Sequence, residues 1–106
     1  MTEVSIDQFA AAKAKGAFIL DVREPAEYVQ GHVAGAELIP LGEVPQRIAA
    51  LPTNQPVYVI CASGNRSLRA TEHLRAAGLD AHSVSGGTSG WIRAGHRVVT
   101  GQNAGA

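Results

Sequence analysis

The sequence predicts an α/β domain in which a small parallel sheet is covered by helices on both faces. Three observations lead to this fold class. Short apolar runs of about four or five residues alternate along nearly the whole chain with segments of helical character. The run AFIL, residues 17–20, is apolar throughout, as is typical of a parallel strand buried on both sides. Glycine and proline residues separate the segments and divide the chain into many short elements.

The first predicted helix and strand occupy residues near the amino terminus. Ser5 and Gln8 form the S-x-x-Q pattern of a capping box, so a helix is expected to begin after Ser5. An alanine-rich segment follows, and Gly16 is expected to end the helix. The apolar run AFIL, residues 17–20, then predicts a buried strand that ends at Asp21.

The next segment predicts two short helices on either side of a strand. Pro25 suits the first turn of a helix over residues 24–30, which Gly31 closes. Residues 36–40 (AELIP) predict a second strand, and residues 42–52 predict another short helix that ends at a proline.

The second half of the chain carries the clearest strand and the clearest helix. Residues 56–60 (PVYVI) predict the third strand, and residues 81–85 (AHSVS) predict a weaker fourth one. Between them, residues 67–78 place apolar side chains on one helical face, and Gly78 is the expected end of that helix.

Length and composition predict one domain over residues 1–99. A chain of 106 residues with 45% hydrophobic content is long enough to bury a core without disulfide or metal crosslinks. Residues 100–106 (TGQNAGA) are small and polar, and we expect them to form a flexible tail. Nine basic and nine acidic residues give no net charge and form no block of one sign, so neither nucleic acid nor a membrane is an expected partner.

The chain has no features of a secreted or metal-binding protein. No basic and apolar leader opens the sequence, and no apolar run approaches the roughly 18 residues that span a bilayer, so a cytoplasmic protein is expected. The only cysteine excludes an internal disulfide. The four histidines lack metal-ligand spacing, and no metal site is expected.

The single cysteine, Cys61, begins a loop that could hold an anion. Function in parallel sheets gathers at the carboxyl ends of strands, and residues 61–66 lie between a strand and a helix. Unpaired backbone N–H groups at such a position lower the pKa of a thiol. Gly64 permits a positive φ, Arg66 adds charge, and Ser67 can cap the helix or donate to the sulfur. The alternative is that Cys61 is simply a small buried apolar residue at a strand end.

Three ordered segments resemble one protein family. CASGNRS, residues 61–67, resembles the active-site loop of single-domain rhodaneses, whose pattern is roughly C-x-x-G-x-[RST]-S. Residues 20–41 (LDVREPAEYVQGHVAGAELIPL) and residues 84–98 (VSGGTSGWIRAGHRV) are similar to the upstream and downstream signatures of the same family. The resemblance implies a rhodanese-like fold with a parallel sheet of about five strands.

The resemblance also implies a chemistry and a set of partners. Cys61 would take a sulfane sulfur from thiosulfate or a persulfide and pass it to a thiol, to cyanide or to a protein of a sulfur relay. No cofactor is implied. The residues that would hold the persulfide are Ala62, Ser63, Gly64, Asn65, Arg66 and Ser67, with Arg66 orienting an anionic donor.

Polar residues outside the loop are expected to have structural roles. Asp21, Arg23 and Glu27 are interpreted as one polar network near the site, and the resemblance supports that role. His32 is interpreted as a hydrogen-bonded turn residue rather than a general base. Trp91 is expected to pack in the core, and Gly86 and Gly87 are expected to let their loop approach the active site closely.

The residues that follow Cys61 and the length of the loop indicate which donors and which reactions the loop supports. Many thiosulfate-using members have a charged or other polar residue just after the cysteine, where this chain has Ala62 and Ser63. We therefore do not expect thiosulfate to be the physiological donor, and a small neutral entrance would suit a persulfide or a docking protein instead. A phosphatase or arsenate reductase of similar fold needs one more residue between its cysteine and arginine than the four present here. A sulfur carrier or a non-catalytic binding module of the same fold would also be compatible with this sequence.

Overall fold

Five parallel strands form a single sheet in the computed structural model, which describes residues 2–105. The strands are β1 (Glu3–Val4), β2 (Phe18–Asp21), β3 (Glu37–Leu38), β4 (Val57–Ile60) and β5 (Ala81–Val84). The helices are α1 (Ile6–Ala14), α2 (Pro25–Gln30), α3 (Val44–Arg47), α4 (Asn65–Ala76) and α5 (Gly87–Arg93). Every strand pair is parallel, so the predicted fold class is confirmed.

The order of strands places a crevice at the centre of the sheet. The order is β1-β5-β4-β2-β3, so the chain leaves β2 toward one edge and leaves β4 toward the other. Asp21 at the end of β2 is in register with Ile60 at the end of β4. Ligands of open α/β sheets bind where strand order reverses in this way. The residues that follow Asp21 and Ile60 therefore lie at the expected functional edge.

Two apolar clusters cover the two faces of the sheet. Side chains alternate between the two faces along β4 and into Cys61, the residue after it. Val57, Val59 and Cys61 therefore belong to one cluster, and Ile60 belongs to the other. The first cluster includes residues of α3 and α4: Val44, Ala70 and Leu74. The second includes residues of α1, α2 and α5: Phe9, Tyr28 and Trp91. Burial on both faces explains why the apolar runs of β2 and β4 lack a polar side.

The first helix begins and ends where its sequence predicts. The Ser5 hydroxyl accepts a hydrogen bond from the Gln8 N–H at 3.1 Å, and the Gln8 side chain accepts one from the Ser5 N–H at 2.8 Å. This reciprocal pair is the predicted capping box. Gly16, just beyond the last turn, has a φ of 83°, which favours glycine.

The helix predicted over residues 42–52 is broken into three short pieces. One 3₁₀ turn covers Leu41–Glu43, α3 covers Val44–Arg47, and a second 3₁₀ turn covers Ile48–Ala50. Pro45 at the start of α3 has no N–H to donate to a preceding turn, which explains the break before it. The strand predicted over residues 36–40 is reduced to Glu37–Leu38, the two residues that pair with β2.

Two elements have no counterpart in the sequence-based prediction. β1 has only two residues, too few for a recognisable alternation, and it pairs with β5 at the sheet edge. α5 is rich in glycine, with Gly87 at its start, and glycine disfavours helix in the absence of tertiary contacts. Trp91 of α5 is buried and lies edge-on to Phe9 at 5.2 Å between ring centroids.

The end of the chain makes contacts with the turn after α2. The Gly35 N–H donates to Ala104 O at 2.7 Å, and His32 exchanges two backbone hydrogen bonds with Val99. The flexible tail over residues 100–106 stays a prediction, and Ala106 lies outside the described residues. Within residues 2–105, the helices are all too short or too polar to cross a membrane.

Candidate active site

The sulfur of Cys61 is surrounded by hydrogen-bonding groups at the carboxyl end of β4. Its Sγ lies 3.1 Å from the Gly64 nitrogen, 3.4 Å from the Ser67 nitrogen and 3.5 Å from the Ser67 hydroxyl oxygen. Cys61 itself is 1% exposed. A buried sulfur with three polar neighbours is unlike a cysteine that only fills apolar space, because its surroundings stabilise a negative charge.

The backbone turns sharply at Gly64 to aim these groups at the sulfur. Gly64 has a φ of 113° and immediately precedes the first residue of α4, Asn65. The N–H groups in the first turn of a helix have no partner within the helix, so the Ser67 N–H is free to face Sγ. The glycine thus serves the role predicted for its position in the sequence, since the positive φ brings the loop back over Cys61.

Opposing influences act on the Cys61 thiol. Burial, the largest single influence, raises the pKa of the thiol. The Ser67 hydroxyl and the N–H groups of Ser67, Gly64 and Ser63 lower it, and their combined effect is larger. The pKa of Cys61 therefore lies below its ordinary value, which increases the fraction of nucleophilic thiolate near neutral pH.

A Ser67→Ala substitution is expected to move the pH dependence of Cys61 reactivity to higher pH. The variant loses the hydroxyl that stabilises the thiolate and keeps the backbone N–H, so the midpoint should move by up to about one pH unit. Reactivity rises with pH through the thiol pKa, because the thiolate is the reacting form. The rate of alkylation by iodoacetamide, measured from acidic to alkaline pH, gives the midpoint. An unshifted midpoint would exclude the Ser67 hydroxyl from this role.

Helix α5 holds the outer side of the cysteine loop. The Thr88 N–H donates to Cys61 O at 2.8 Å, and the Ser89 N–H donates to Ala62 O at 3.0 Å. Because the C=O and N–H groups of a trans peptide point in opposite directions, this contact turns the N–H groups of Ala62 and Ser63 away from α5. The helix therefore helps to orient the loop, a role that the sequence does not predict. Its only signal in the sequence is the pair Gly86-Gly87.

Close packing against the loop requires glycine at position 87. A Cβ on Gly87 would lie 2.5 Å from Cys61 O and 2.6 Å from Ala62 O, and Gly87 has a φ of 59°. The expected close approach of this segment to the active site is thus observed at the first residue of α5.

Asp21 and Arg23 form a buried ion pair beside the loop. The Arg23 side chain donates to both carboxylate oxygens of Asp21, at 2.9 to 3.2 Å, and the Arg23 N–H donates to the same group at 3.0 Å. The guanidinium also donates to Gly31 O at 2.8 Å, which links the end of β2 to the end of α2. Both side chains are buried, and their charges compensate each other.

Glu27 pairs with Arg66 rather than with Arg23. Arg66 donates from both terminal nitrogens to the Glu27 carboxylate, at 2.7 and 2.8 Å. These hydrogen bonds lower the pKa of Glu27 to about 2, and they raise the pKa of Arg66. The structure thus divides the network predicted around Asp21 into two ion pairs. It also shows that the Arg66 charge is already compensated, which the sequence does not predict.

The side chains of the other residues predicted for the site are not hydrogen-bonded to the Cys61 sulfur. His32 is buried, with its ring nitrogens 2.8 Å from Tyr28 O and from Asn103 O, and its ring is not hydrogen-bonded to the cysteine loop. Ser63 and Asn65 are exposed, and Ala62 is half-buried at the loop surface. Residues 2–105 hold no group of three histidine, cysteine or acidic side chains placed to bind a metal ion.

A cavity of about 320 Å³ opens beside the loop. It is lined by Arg23, Glu27, Gln30, Gly31, Ala62, Thr88, Ser89, Ile92 and Val98. Ile92, on α5, lines the cavity and is 51% exposed. The charged lining groups, Arg23 and Glu27, are both engaged in ion pairs. The cavity is therefore close to neutral and partly apolar.

Comparison with known proteins shows which family model and which proteins this chain is similar to. A family model described as the rhodanese-like domain matches residues 5–94. The thiosulfate sulfurtransferase GlpE of Pseudomonas entomophila is 33% identical over 89 residues, which cover 83% of this chain and 82% of that protein. The putative sulfur carrier protein YrkF of Bacillus subtilis is 47% identical over 60 residues, 57% of this chain and only 32% of that protein.

A solved structure shows the same fold. The crystal structure of a rhodanese-related protein from Thermoplasma volcanium superposes with a TM-score of 0.88 at 35% sequence identity. The alignment covers 93% of this chain and 98% of that one, so the likeness extends over the whole domain.

Proposed function

From the premise that this chain belongs to the rhodanese-like domain family, we propose that it is a sulfurtransferase whose Cys61 carries sulfur as a persulfide. The single observation that carries the proposal is the arrangement around Cys61 Sγ. Two N–H groups and one hydroxyl face the sulfur within 3.5 Å, and the thiol pKa is lowered. Such surroundings favour a thiolate nucleophile and also a persulfide anion in its place.

The reaction consists of two displacements at sulfur. The Cys61 thiolate attacks the terminal sulfur of a donor, a new S–S bond forms, and the donor leaves as a thiolate or, from thiosulfate, as sulfite. An acceptor thiolate or cyanide then attacks the outer sulfur of the Cys61 persulfide and regenerates the Cys61 thiolate. Each step breaks one bond to the transferred sulfur as it forms another, so no external oxidant or reductant is needed.

The charge of the cysteine loop, rather than its exposure, distinguishes the two donors. Cys61 is 1% exposed, and either donor would reach it through a terminal sulfur atom, so size does not distinguish the two donors. The half-buried Ala62 and the exposed Ser63 add no charge to the loop. We therefore propose a persulfide as the preferred donor, with thiosulfate as a poorer one.

The Glu27–Arg66 ion pair supports this order of donors. Thiosulfate carries two negative charges, and the cation that the loop offers to such a donor, the Arg66 guanidinium, is already bound by Glu27. A persulfide donor depends less on that cation, since its terminal sulfur is at most singly charged.

A Glu27→Gln substitution is expected to improve thiosulfate as a donor. Removal of the carboxylate charge leaves the Arg66 guanidinium uncompensated next to the cavity. The KM for thiosulfate should fall by about three- to tenfold at low ionic strength, and the gain should shrink as salt is added. Steady-state kinetics with cyanide as acceptor measure the change.

Glu43→Gln is a matched control for this substitution. Glu43 also forms an ion pair, with Arg47 at 3.8 Å, but it does not line the cavity. The control should leave the KM for thiosulfate unchanged. A Glu27→Gln variant with an unchanged or higher KM would contradict the proposed influence of the ion pair.

A second candidate function is transfer of sulfur to a protein acceptor. One relative is named a putative sulfur carrier protein, and the exposed Ile92 beside the cavity offers an apolar contact for a partner. The two candidates share the Cys61 persulfide and differ in the acceptor. Rapid discharge of the persulfide by cyanide or small thiols supports the enzyme. Discharge only by a protein thiol supports the carrier.

The proposed function is tested by loading Cys61 with sulfur. Wild-type protein is incubated with glutathione persulfide or with thiosulfate, and its intact mass is measured before and after addition of an acceptor. We expect a gain of one sulfur atom that the acceptor removes. A chain that gains no sulfur from either donor would be a non-catalytic binding module.

A further inference from the structure

A second buried serine lies behind the one that contacts the cysteine. Ser83 is in β5, the strand beside β4, and its side chain is fully buried. Its hydroxyl oxygen lies 2.7 Å from the Ser67 hydroxyl oxygen. Among residues 2–105 the Ser83 hydroxyl has no other hydrogen-bond partner. A serine in a buried strand is costly to bury without such a partner.

The Ser67 hydroxyl has more possible acceptors than protons. Its oxygen lies 3.5 Å from Cys61 Sγ, 3.1 Å from Gly64 O and 2.7 Å from the Ser83 hydroxyl oxygen. A hydroxyl has one proton to donate and two lone pairs that accept. If the proton points to Gly64 O or to Ser83, it is not available to the sulfur.

We propose that Ser83 is a positioning residue that donates to the Ser67 hydroxyl and so cannot accept its proton. The Ser67 proton then points to the Cys61 thiolate, which is charged and therefore a stronger acceptor than Gly64 O. The inference rests on the proposed function, in which Cys61 reacts as a thiolate. In the thiol state the direction reverses: Cys61 S–H donates to Ser67, and Ser67 donates to Ser83 or to Gly64 O. Only hydroxyl protons rotate between the two states, and the heavy atoms stay in place.

Charged groups nearby do not provide this control. Asp21 and Arg23 are paired with each other, as are Glu27 and Arg66, and none of these side chains is hydrogen-bonded to the Ser67 hydroxyl or to Ser83. Ser83 can thus determine the direction of the Ser67 O–H bond through a hydrogen bond between two neutral hydroxyls. A chain of two hydroxyls polarises toward the charge at its end, which strengthens both bonds.

The test measures the pH dependence of Cys61 alkylation by iodoacetamide in wild type, Ser83→Ala, Ser67→Ala and the double variant. Ser83→Ala should move the midpoint to higher pH by about half a pH unit, a threefold smaller thiolate fraction below the midpoint. Ser67→Ala should move it at least as far. If Ser83 acts through Ser67, the double variant should have the midpoint of Ser67→Ala, because the effects are not additive.

Two further variants separate this role from a structural one. Ser85→Ala makes the same chemical change at an exposed position just beyond the end of β5 and should leave the midpoint unchanged. Ser83→Thr keeps the hydroxyl and should keep the wild-type midpoint. The proposal is overturned if Ser83→Ala has the wild-type midpoint. It is also overturned if Ser83→Ala shifts the midpoint as much in the Ser67→Ala background as in the wild type, or if the midpoint of Ser83→Thr shifts as far as that of Ser83→Ala.

The readout is independent of sulfur transfer. Alkylation needs no sulfur donor or acceptor, so a chain that gains no sulfur would end the proposed function and leave the Ser83 result interpretable. Conversely, normal sulfur loading with an unshifted Ser83→Ala midpoint would reject only the inference about Ser83.

Discussion

Replacement of Cys61 by serine is expected to abolish sulfur transfer and leave the fold intact. Serine has no sulfur to form a persulfide, and its hydroxyl does not ionise near neutral pH. The rate should therefore fall by at least about 10³-fold, as is usual when a covalent nucleophile is removed. The new hydroxyl oxygen can accept from the N–H groups of Gly64 and Ser67 that now face Sγ, so burial of a polar atom is not a large penalty.

Intact mass and unfolding measurements check this result together. Cys61 is the only cysteine, so any persulfide sulfur on the wild type is assigned to it without ambiguity. The Cys61→Ser variant should gain no sulfur from the same donors and should unfold at a denaturant concentration close to that of the wild type. Substantial transfer by this folded variant would reject the persulfide mechanism.

The Gly87→Ala variant is expected to show the largest loss of stability of the substitutions considered. The new Cβ would lie 2.5 Å from Cys61 O, and the residue would retain a positive φ. A left-handed conformation costs an alanine about 1–2 kcal/mol, and forced overpacking adds about 1–3 kcal/mol. The free energy of unfolding should therefore fall by about 2–5 kcal/mol. The added Cβ should also push α5 away from the cysteine loop. This movement should weaken the hydrogen bonds from α5 to the loop and slow alkylation of Cys61 at neutral pH.

Gly42→Ala provides the matched control. Gly42 lies exposed in the first 3₁₀ turn, does not have a positive φ, and would have no neighbouring atom within 4 Å of an added Cβ. Its substitution should change the free energy of unfolding by less than about 1 kcal/mol. Denaturant unfolding of the two variants beside the wild type gives the comparison. Equal midpoints for Gly87→Ala and the wild type would show that the loop adapts to the added methyl group without cost.

Local signals in the sequence predict much of the fold. The capping box at Ser5 and Gln8 and the end of α1 at Gly16 depend on residues a few positions apart, so they are visible without tertiary information. The apolar runs that form β2 and β4 predict those strands to within one residue at each end. The same kind of local signal predicts the positive φ of Gly64, because the glycine lies in a short loop between the end of β4 and the start of α4.

Weak or conflicting local signals account for the elements that the sequence does not predict. α5 is rich in glycine, and it forms because Trp91 packs against Phe9 and because the N–H groups of Thr88 and Ser89 bond to the cysteine loop. The single helix predicted over residues 42–52 is wrong, because Pro45 interrupts the hydrogen bonding that a continuous helix would need. Tertiary contacts decide such segments because their intrinsic preferences differ by little.

The sequence by itself determined the fold class, the position of Cys61 at the end of a buried strand and the family to which the chain belongs. These follow from short motifs, within each of which the residues are neighbours in the chain. Only the tertiary structure decided that Arg66 binds Glu27, 39 positions away, and that Ser83 lies against Ser67. The physical reason is that the order and register of the strands bring side chains from separate strands and helices together at one edge of the sheet. No local pattern in the sequence specifies which of these side chains become neighbours.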